Sequence, residues 1–194
     1  QTGLNRSANV TLYGLYTNIG NPRIFRDGAI CTNCYNFTSL NLGTVIFNVT
    51  SWSNYSIGES FNLTSCGTLN TTNAVYTLQN NVTSSIIAGY CFVIAANNIT
   101  LDGNGYVLNG NDVILSRGIN IGSNNNTVIK NFRNITNFKL YGINMLGSNG
   151  NRINNISFYS NDYAVFNIGN SYNNDISNIY SVSETYEKLV NIFI

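Results

Sequence analysis

The sequence predicts an all-β protein in which residues 66–194 coil into a parallel β-helix and residues 1–65 form an irregular, β-rich segment before it. Three observations support this prediction. Asparagine accounts for 38 of the 194 residues, and this residue disfavours helix interiors but suits turns and left-handed backbone positions. Short runs of alternating apolar residues are typical of strands that bury one face. The chain also resembles itself at a period of about 23 to 29 residues, which indicates a solenoid.

The first recurring segment contains an asparagine followed two positions later by a β-branched residue. Because the equivalent residues of stacked coils lie above one another, we expect one apolar ladder and one polar ladder. The apolar ladder is predicted to contain Ile99, Val128, Ile153 and Ile176. The polar ladder is predicted to contain Asn97, Asn126, Asn151 and Asn174.

The second recurring segment keeps step with the first along the chain. It occurs at Gly118–Ile121, Gly142–Met145, Ala164–Ile168 and Leu189–Ile192. A period near 23 residues suits a three-sided coil, whereas a leucine-rich repeat would need a regular leucine scaffold that this sequence lacks. A β-sandwich, which is also built from short alternating strands, is the alternative fold.

Residues 1–65 do not show the repeat. Strand-like runs occur at Val10–Tyr16, Gly43–Val49 and Ser60–Leu63, and the segment Asn21–Gly28 is predicted to be a loop or turn. This region is expected to be a cap, a small antiparallel sheet or a set of coils whose repeat has decayed.

The composition restricts the classes of partner and the compartment. Only 9% of the residues are charged, the net charge is +1 and there is no histidine, so no electrostatic attraction to nucleic acid or to an anionic membrane is expected. No stretch approaches the roughly 20 apolar residues of a membrane span. Because the chain begins at Gln1 without a basic and apolar leader, we expect that a signal peptide has been removed and that the protein is extracellular or on the cell surface.

N-glycans are predicted as covalent partners, because acceptor motifs of the form Asn-x-Ser/Thr are frequent and each must lie on the surface. The predicted acceptors are Asn5, Asn9, Asn36, Asn48, Asn54, Asn62, Asn70, Asn81, Asn98, Asn125, Asn134 and Asn155.

The four cysteines are Cys31, Cys34, Cys66 and Cys91. An even number in a chain with many glycosylation motifs indicates two disulfides, and the shortest pairing joins Cys31 to Cys34 and Cys66 to Cys91. The motif at residues 31–34 also fits half of a zinc site or a redox dithiol. Zinc would require a second close pair of ligands, and a redox site would require a helix start nearby. The disulfide interpretation is therefore favoured, and no metal or cofactor is predicted.

A family resemblance adds to this interpretation. The segments Cys66–Leu69, Tyr76–Leu78, Cys91–Ile94 and Asn97–Gly105 resemble the opening coils of right-handed parallel β-helix repeat modules, the pectate-lyase-like modules of archaeal surface and S-layer-associated proteins. The resemblance covers roughly residues 60–194. It implies a right-handed coil and places Cys66 and Cys91 on neighbouring coils. It implies little about activity, because this fold carries lyases, hydrolases, adhesins and inert spacers.

Self-assembly is the predicted role. The sequence ends within an apolar strand, and an open strand edge can pair with another chain. We expect a neighbouring copy to complete that edge with an N-terminal strand, giving a homopolymer joined head to tail. The residues predicted to take part are Val10, Leu12, Leu15, Leu189, Val190, Ile192 and Ile194.

The sequence therefore predicts a structural extracellular glycoprotein, either a filament or a surface-layer subunit, and not an enzyme. Without histidine, triads that depend on an imidazole base are excluded. Of the eight carboxylates, Asp102 and Asp175 fall in repeat strands or the adjoining turns, and both are interpreted as turn residues. Carbohydrate binding is the first alternative, because Tyr141 and Tyr163 open equivalent strands and could stack on sugars. A polysaccharide lyase or hydrolase is the second alternative.

Overall fold

The computed structural model describes residues 6–168, 171–182 and 187–192. Within those ranges the chain is all-β without a helix, and its larger part is a parallel β-solenoid of about five turns. The predicted parallel β-helical fold is therefore confirmed. The chain divides into two compact units, residues 1–61 and residues 62–194.

The first unit is an antiparallel assembly of short strands. Its strands are β1 (Ala8–Tyr13), β2 (Pro22–Arg26), β3 (Ala29–Ile30), β4 (Tyr35–Asn36), β5 (Thr44–Val49) and β6 (Tyr55–Leu63), of which β6 continues two residues into the second unit. One sheet has the order β1-β5-β4, and β2 pairs with both β3 and β6. The buried cluster of this unit contains Ile24, Val45, Phe47 and Val49.

The prediction of a loop across residues 21–28 is wrong for β2. Pro22 is the first residue of the strand, a position where its missing N–H costs no ladder bond. Ile24 and Phe25 are buried, and this burial makes the segment a strand. Only Asp27 and Gly28, both with positive φ, form the predicted turn.

The second unit consists of three-sided coils. Its strands are β7 (Gly67–Leu69), β8 (Val75–Leu78), β9 (Val82–Thr83), β10 (Tyr90–Ile94), β11 (Thr100–Asp102), β12 (Val107–Asn109), β13 (Arg117–Gly122), β14 (Val128–Thr136), β15 (Tyr141–Leu146), β16 (Arg152–Tyr159), β17 (Tyr163–Ile168), β18 (Asp175–Val182) and β19 (Glu187–Ile192). Face 1 has the parallel order β7-β10-β13-β15-β17-β19. Face 2 contains β8, β11 and the first halves of β14, β16 and β18. Face 3 contains β9, β12 and the second halves of the same three strands.

Left-handed asparagines form the corners of the coils. Eleven of the sixteen non-glycine residues with positive φ, counted over the described ranges, are asparagine, one of the few residues that tolerate this conformation. One column of left-handed residues precedes face 2 and contains Asn73, Asn98, Asn126, Gly150 and Asn173. A second column bends the chain from face 2 to face 3 and contains Asn104, Asn131, Asn155 and Asn178.

These corners correct the register predicted for face 2. Ile153 and Ile176 pair as predicted, but their partners on the preceding coils are Ile129 and Leu101 rather than Val128 and Ile99. The prediction aligned, in each coil, the asparagine that lies two positions before a β-branched residue. In the structure the left-handed residue fixes the alignment, and it is preceded by a different number of asparagines from one coil to the next.

The predicted polar ladder is corrected for the same reason. Asn151 and Asn174 are equivalent, because the Asn151 N–H donates to Asn174 Oδ1 at 2.8 Å. The predicted members Asn126 and Asn97 lie one and two positions off this column. The equivalent of Asn151 on the preceding coil is Thr127, whose N–H donates to Asn151 Oδ1 at 2.8 Å.

The second recurring segment forms strands β13, β15, β17 and β19 of face 1, with a register shift between β13 and β15 that pairs Gly122 rather than Ile121 with Met145. Ile119 pairs with Ile143, which pairs with Val165, which pairs with Leu189. Ile119, Ile143 and Val165 are at most 1% exposed. The stacked aliphatic side chains of this face therefore form part of the continuous core of the solenoid.

A close approach at Gly142 tests this packing. A Cβ at Gly142 would lie 2.7 Å from the Ala164 carbonyl oxygen and 2.9 Å from the Phe158 ring. We expect Gly142→Ala to lower the free energy of unfolding by about 1–3 kcal/mol. A Cβ at Gly67, which is also on face 1, meets nothing within 4 Å, so Gly67→Ala should change it by less than about 0.5 kcal/mol. Guanidinium denaturation measures both, and equal effects would contradict the stacking.

Candidate functional site

The glycosylation acceptors lie on accessible parts of the chain. Of the eleven acceptors in the described ranges none is buried, and eight are exposed: Asn9, Asn36, Asn54, Asn62, Asn70, Asn81, Asn98 and Asn155. Asn48, Asn125 and Asn134 are half-buried, and Asn5 lies outside the described residues. This exposure is compatible with modification, which stays a prediction.

Asn125, like the acceptors Asn81, Asn98 and Asn155, bonds to a neighbouring coil through its side chain, but Asn125 is half-buried. Its N–H donates to Asn97 Oδ1 at 2.8 Å, and its own Oδ1 accepts the Asn149 N–H at 2.7 Å. Asn149 Oδ1 in turn accepts the Tyr172 N–H at 2.7 Å. The hydroxyl of the same motif belongs to Thr127, which is fully buried. In the folded chain, therefore, this motif is part of the structure rather than a free acceptor.

Both predicted disulfides are present. Cys31 is bonded to Cys34, and Cys66 is bonded to Cys91 across 25 residues. Cys66 immediately precedes β7 and Cys91 lies on β10, its neighbour in face 1, so this bond joins two adjacent coils. Among the residues that the structure describes, no group of three or more Cys, Asp or Glu side chains could hold a metal ion.

An outward column of aromatic and guanidinium groups runs along face 1. Tyr90 pairs with Arg117, whose guanidinium lies 5.3 Å from the Tyr90 ring centroid. Further along the column, Tyr141 and Tyr163 pair, with ring centroids 5.7 Å apart. Burial raises the pKa of Tyr90 above its ordinary value of 10.0, while Arg117 opposes that shift. The sequence identified Tyr141 and Tyr163 but missed Tyr90 and Arg117, because the second recurring segment was recognised only from Gly118 onward.

A groove of about 560 Å³ follows the second asparagine column. It is lined by Asn104, Asn131, Asn155 and Asn178, together with Arg133 and Tyr180. The amides form a relay, since Asn155 Nδ2 donates to Asn131 Oδ1 at 2.9 Å and Asn131 Nδ2 donates to the Asp102 carboxylate at 3.1 Å. Tyr180 is 67% exposed at the groove. Amides, a guanidinium and an exposed ring can bind a hydroxylated ligand.

Several carboxylates are paired with cations. Asp102 lies 3.6 Å from Lys130, Asp112 lies 2.7 Å from Lys139 and Asp175 lies 3.3 Å from Arg152. Hydrogen bonding to Asp112 raises the pKa of Lys139.

In the first unit, a hydrogen bond from Ser53 lowers the pKa of Asp27. These carboxylates are therefore held by a hydrogen bond or an ion pair with a neighbouring side chain.

The predicted assembly residues are distributed between the two units. Val10, Leu12 and Leu15 pack, partly buried, against the cluster around Phe47 in the first unit. The C-terminal residues Leu189, Val190 and Ile192 lie on β19, which pairs with β17. Ile194 lies outside the described residues. Participation of these residues in contacts between copies stays a prediction.

Comparison with known proteins gives no relative. No family model, no curated protein and no solved structure matches this chain. The resemblance to pectate-lyase-like surface modules therefore stays a prediction. In the ranges described, the structure contains no helix with the length and apolar character of a membrane span.

Replacement of Asn125, a predicted acceptor that also bonds to the neighbouring coils, tests its structural role. Asn125→Ala leaves the Asn149 N–H without its acceptor, so we expect the free energy of unfolding to fall by about 1–2 kcal/mol. Asn70→Ala removes an exposed acceptor and should change it by less than about 0.5 kcal/mol. Both are measured by denaturant unfolding of protein made without glycans, so that loss of a glycan does not contribute. A neutral Asn125→Ala would contradict the structural role of this amide.

Proposed function

We propose that this chain is a structural glycoprotein outside the cell whose copies join head to tail by exchange of β1. The two disulfides and the accessible acceptors fit an oxidising, extracellular compartment. Hydrogen bonds join neighbouring coils, and most of the described carboxylates form ion pairs with cationic side chains. Both features suit a structural scaffold. The observation that carries the proposal is the position of β1 in its sheet.

β1 is an edge strand in the order β1-β5-β4. All six of its residues pair antiparallel with β5, from Ala8 with Val49 to Tyr13 with Thr44. Val10 and Leu12 face the same buried cluster as their partners Phe47 and Val45. The strand therefore has a strongly specified register, which an identical strand from another copy would satisfy equally well.

The connection after β1 provides a hinge for the exchange. The Leu15 N–H donates to the Gly43 carbonyl at 3.0 Å, and Ile19 is held by two hydrogen bonds to the Asn41 side chain. Between these anchors the residues Tyr16–Asn18 are exposed, and Asn18 has a φ of 78°. Redirecting the chain at Tyr16–Asn18 preserves every contact of β1 and changes only which copy makes it. Non-reciprocal exchange of this kind propagates into a filament.

Cysteine cross-linking tests the exchange. Tyr13 and Thr44 are paired and exposed, so the variant Tyr13→Cys/Thr44→Cys should form a disulfide between copies after oxidation. We expect a ladder of multiples of the subunit mass on a non-reducing denaturing gel, because each bond joins two chains.

The matched control is Lys130→Cys/Asn154→Cys, a pair on β14 and β16 inside the solenoid. It should run as a monomer, because both residues belong to one chain. A monomer band from the Tyr13→Cys/Thr44→Cys protein would contradict the exchange, and a dimer without higher multiples would contradict a filament.

Carbohydrate binding is the second candidate function, and the asparagine groove favours it. Glycan-array binding should be lost in Tyr180→Ala if the groove is the site, and in Tyr141→Ala if the column on face 1 is the site. Tyr172→Ala is the control, since Tyr172 is 54% exposed and lines neither surface. Absence of binding by the native protein, or equal loss in all three variants, would contradict this function.

A further inference from the structure

The groove along the second asparagine column has a predicted glycosylation acceptor in its wall. Of the four left-handed asparagines in that column, Asn155 is the one that begins an Asn-x-Ser/Thr motif, and Ser157 supplies the hydroxyl of the motif. Both residues line the groove. A glycan on Asn155 therefore leaves the protein within the groove.

The Asn155 amide can carry a sugar and keep its hydrogen bond to the preceding coil. Its Nδ2 donates one hydrogen to Asn131 Oδ1 at 2.9 Å. A side-chain amide nitrogen carries two hydrogens, and glycosylation replaces one of them. The sugar can therefore take the place of the second hydrogen. The φ of 55° at Asn155 sets the corner of the coil, so the backbone fixes where this side chain starts.

Two large side chains lie on either side of the acceptor motif. Ser157 pairs with Tyr180 on the following coil. On the preceding coil, Arg133 follows Phe132, which is the partner of Ile156. Because neighbouring strands lie about 4.8 Å apart, the small Ser157 lies between two larger residues that are two strands apart. The groove volume of about 560 Å³ falls within the roughly 300–1,000 Å³ of sites for small ligands.

These two walls offer the contacts that a sugar uses. Tyr180 is 67% exposed, and its ring can cover the apolar face of a pyranose, which removes apolar surface of both from water. Arg133 is exposed and takes no part in the four ion pairs of the described residues. Its N–H groups are therefore available to donate to sugar hydroxyls.

We propose that the glycan on Asn155 lies in this groove, with its first sugars packed against the Tyr180 ring and hydrogen-bonded to Arg133. The glycan then contacts three successive coils and stabilises their stacking. This proposal rests on the glycosylation in the proposed function. It fills the groove with the chain's own glycan, whereas carbohydrate binding at this groove, the second candidate function, requires it to be open to other sugars.

Mass spectrometry of the native protein tests whether the glycan is present. An unmodified Asn155 overturns the proposal. If Asn70 and other acceptors carry glycans in that case, the structural glycoprotein of the proposed function stands, and if none does, its glycosylation is wrong as well. The cross-linking ladder of Tyr13→Cys/Thr44→Cys reports strand exchange separately, because both of those residues lie outside the groove.

Thermal unfolding of the glycosylated full chain measures the contact. Tyr180→Ala should lower the Tm of the glycosylated chain by about 2–4 °C more than that of the chain made without glycans, because only the former has a sugar on the ring. Ser157→Ala removes the glycan but keeps the Asn155 amide and its hydrogen bond to Asn131. In the Ser157→Ala background, the additional loss from Tyr180→Ala should disappear, since both changes remove the same contact.

Two variants serve as matched controls. Thr72→Ala removes the predicted glycan at Asn70, outside the groove, and should leave the effect of Tyr180→Ala unchanged. Tyr172→Ala removes a ring that is 54% exposed and does not line the groove, so it should shift the Tm equally with and without glycans.

An equal effect of Tyr180→Ala on the glycosylated and the glycan-free chain would overturn the proposal. Glycan-array binding by the glycosylated chain that Tyr180→Ala abolishes would overturn it too, because a groove open to free sugars is not filled by the chain's own glycan. Array binding that requires Ser157→Ala would instead support it, because the groove then becomes accessible only when the Asn155 glycan is missing.

Discussion

The structure of the solenoid depends on the hydrogen bonds between asparagine side chains and the backbone of the next coil. Asn97, Asn125 and Asn149 each accept an N–H from the equivalent residue one coil further on. Turns in a parallel solenoid would otherwise leave backbone donors unpaired, at a cost comparable to a lost hydrogen bond. Because each amide bonds a specific N–H, it also fixes how one coil is placed on the next.

The same residue type performs a second task at the corners. Among the described residues, asparagine occupies eleven of the sixteen left-handed positions that are not glycine, where most other side chains are strained. Gly150 takes the same left-handed conformation in the first column, and a Cβ there would lie 2.6 Å from Asn126 Oδ1. The architecture thus accounts for much of the asparagine, and the predicted acceptors that are exposed are those that the fold leaves on the outside.

The proposed function follows from this division of surfaces. Apolar ladders and amide ladders join the coils within a copy, and the predicted glycosylation acceptors lie outside strands β10, β13, β15 and β17 of face 1. In the proposed function, the edge strand β1 provides the contact between copies.

The sequence by itself determined the fold class and the alternation of apolar residues on face 1, because both follow from local periodicity. The even number of cysteines indicated two disulfides, and the structure decided which cysteines pair. It did not determine the register of face 2. Consecutive asparagines at residues 97–98 and 124–126 allow the motif to slide by one or two positions. Only the stacked coils decide which asparagine is left-handed, because that choice depends on N–H groups more than twenty residues away. For the same reason the strand at Ile24 and Phe25 and the exposure of Ile86, Ile87, Ile114 and Leu115 were visible only in the tertiary structure, since burial and exposure are properties of the packed chain.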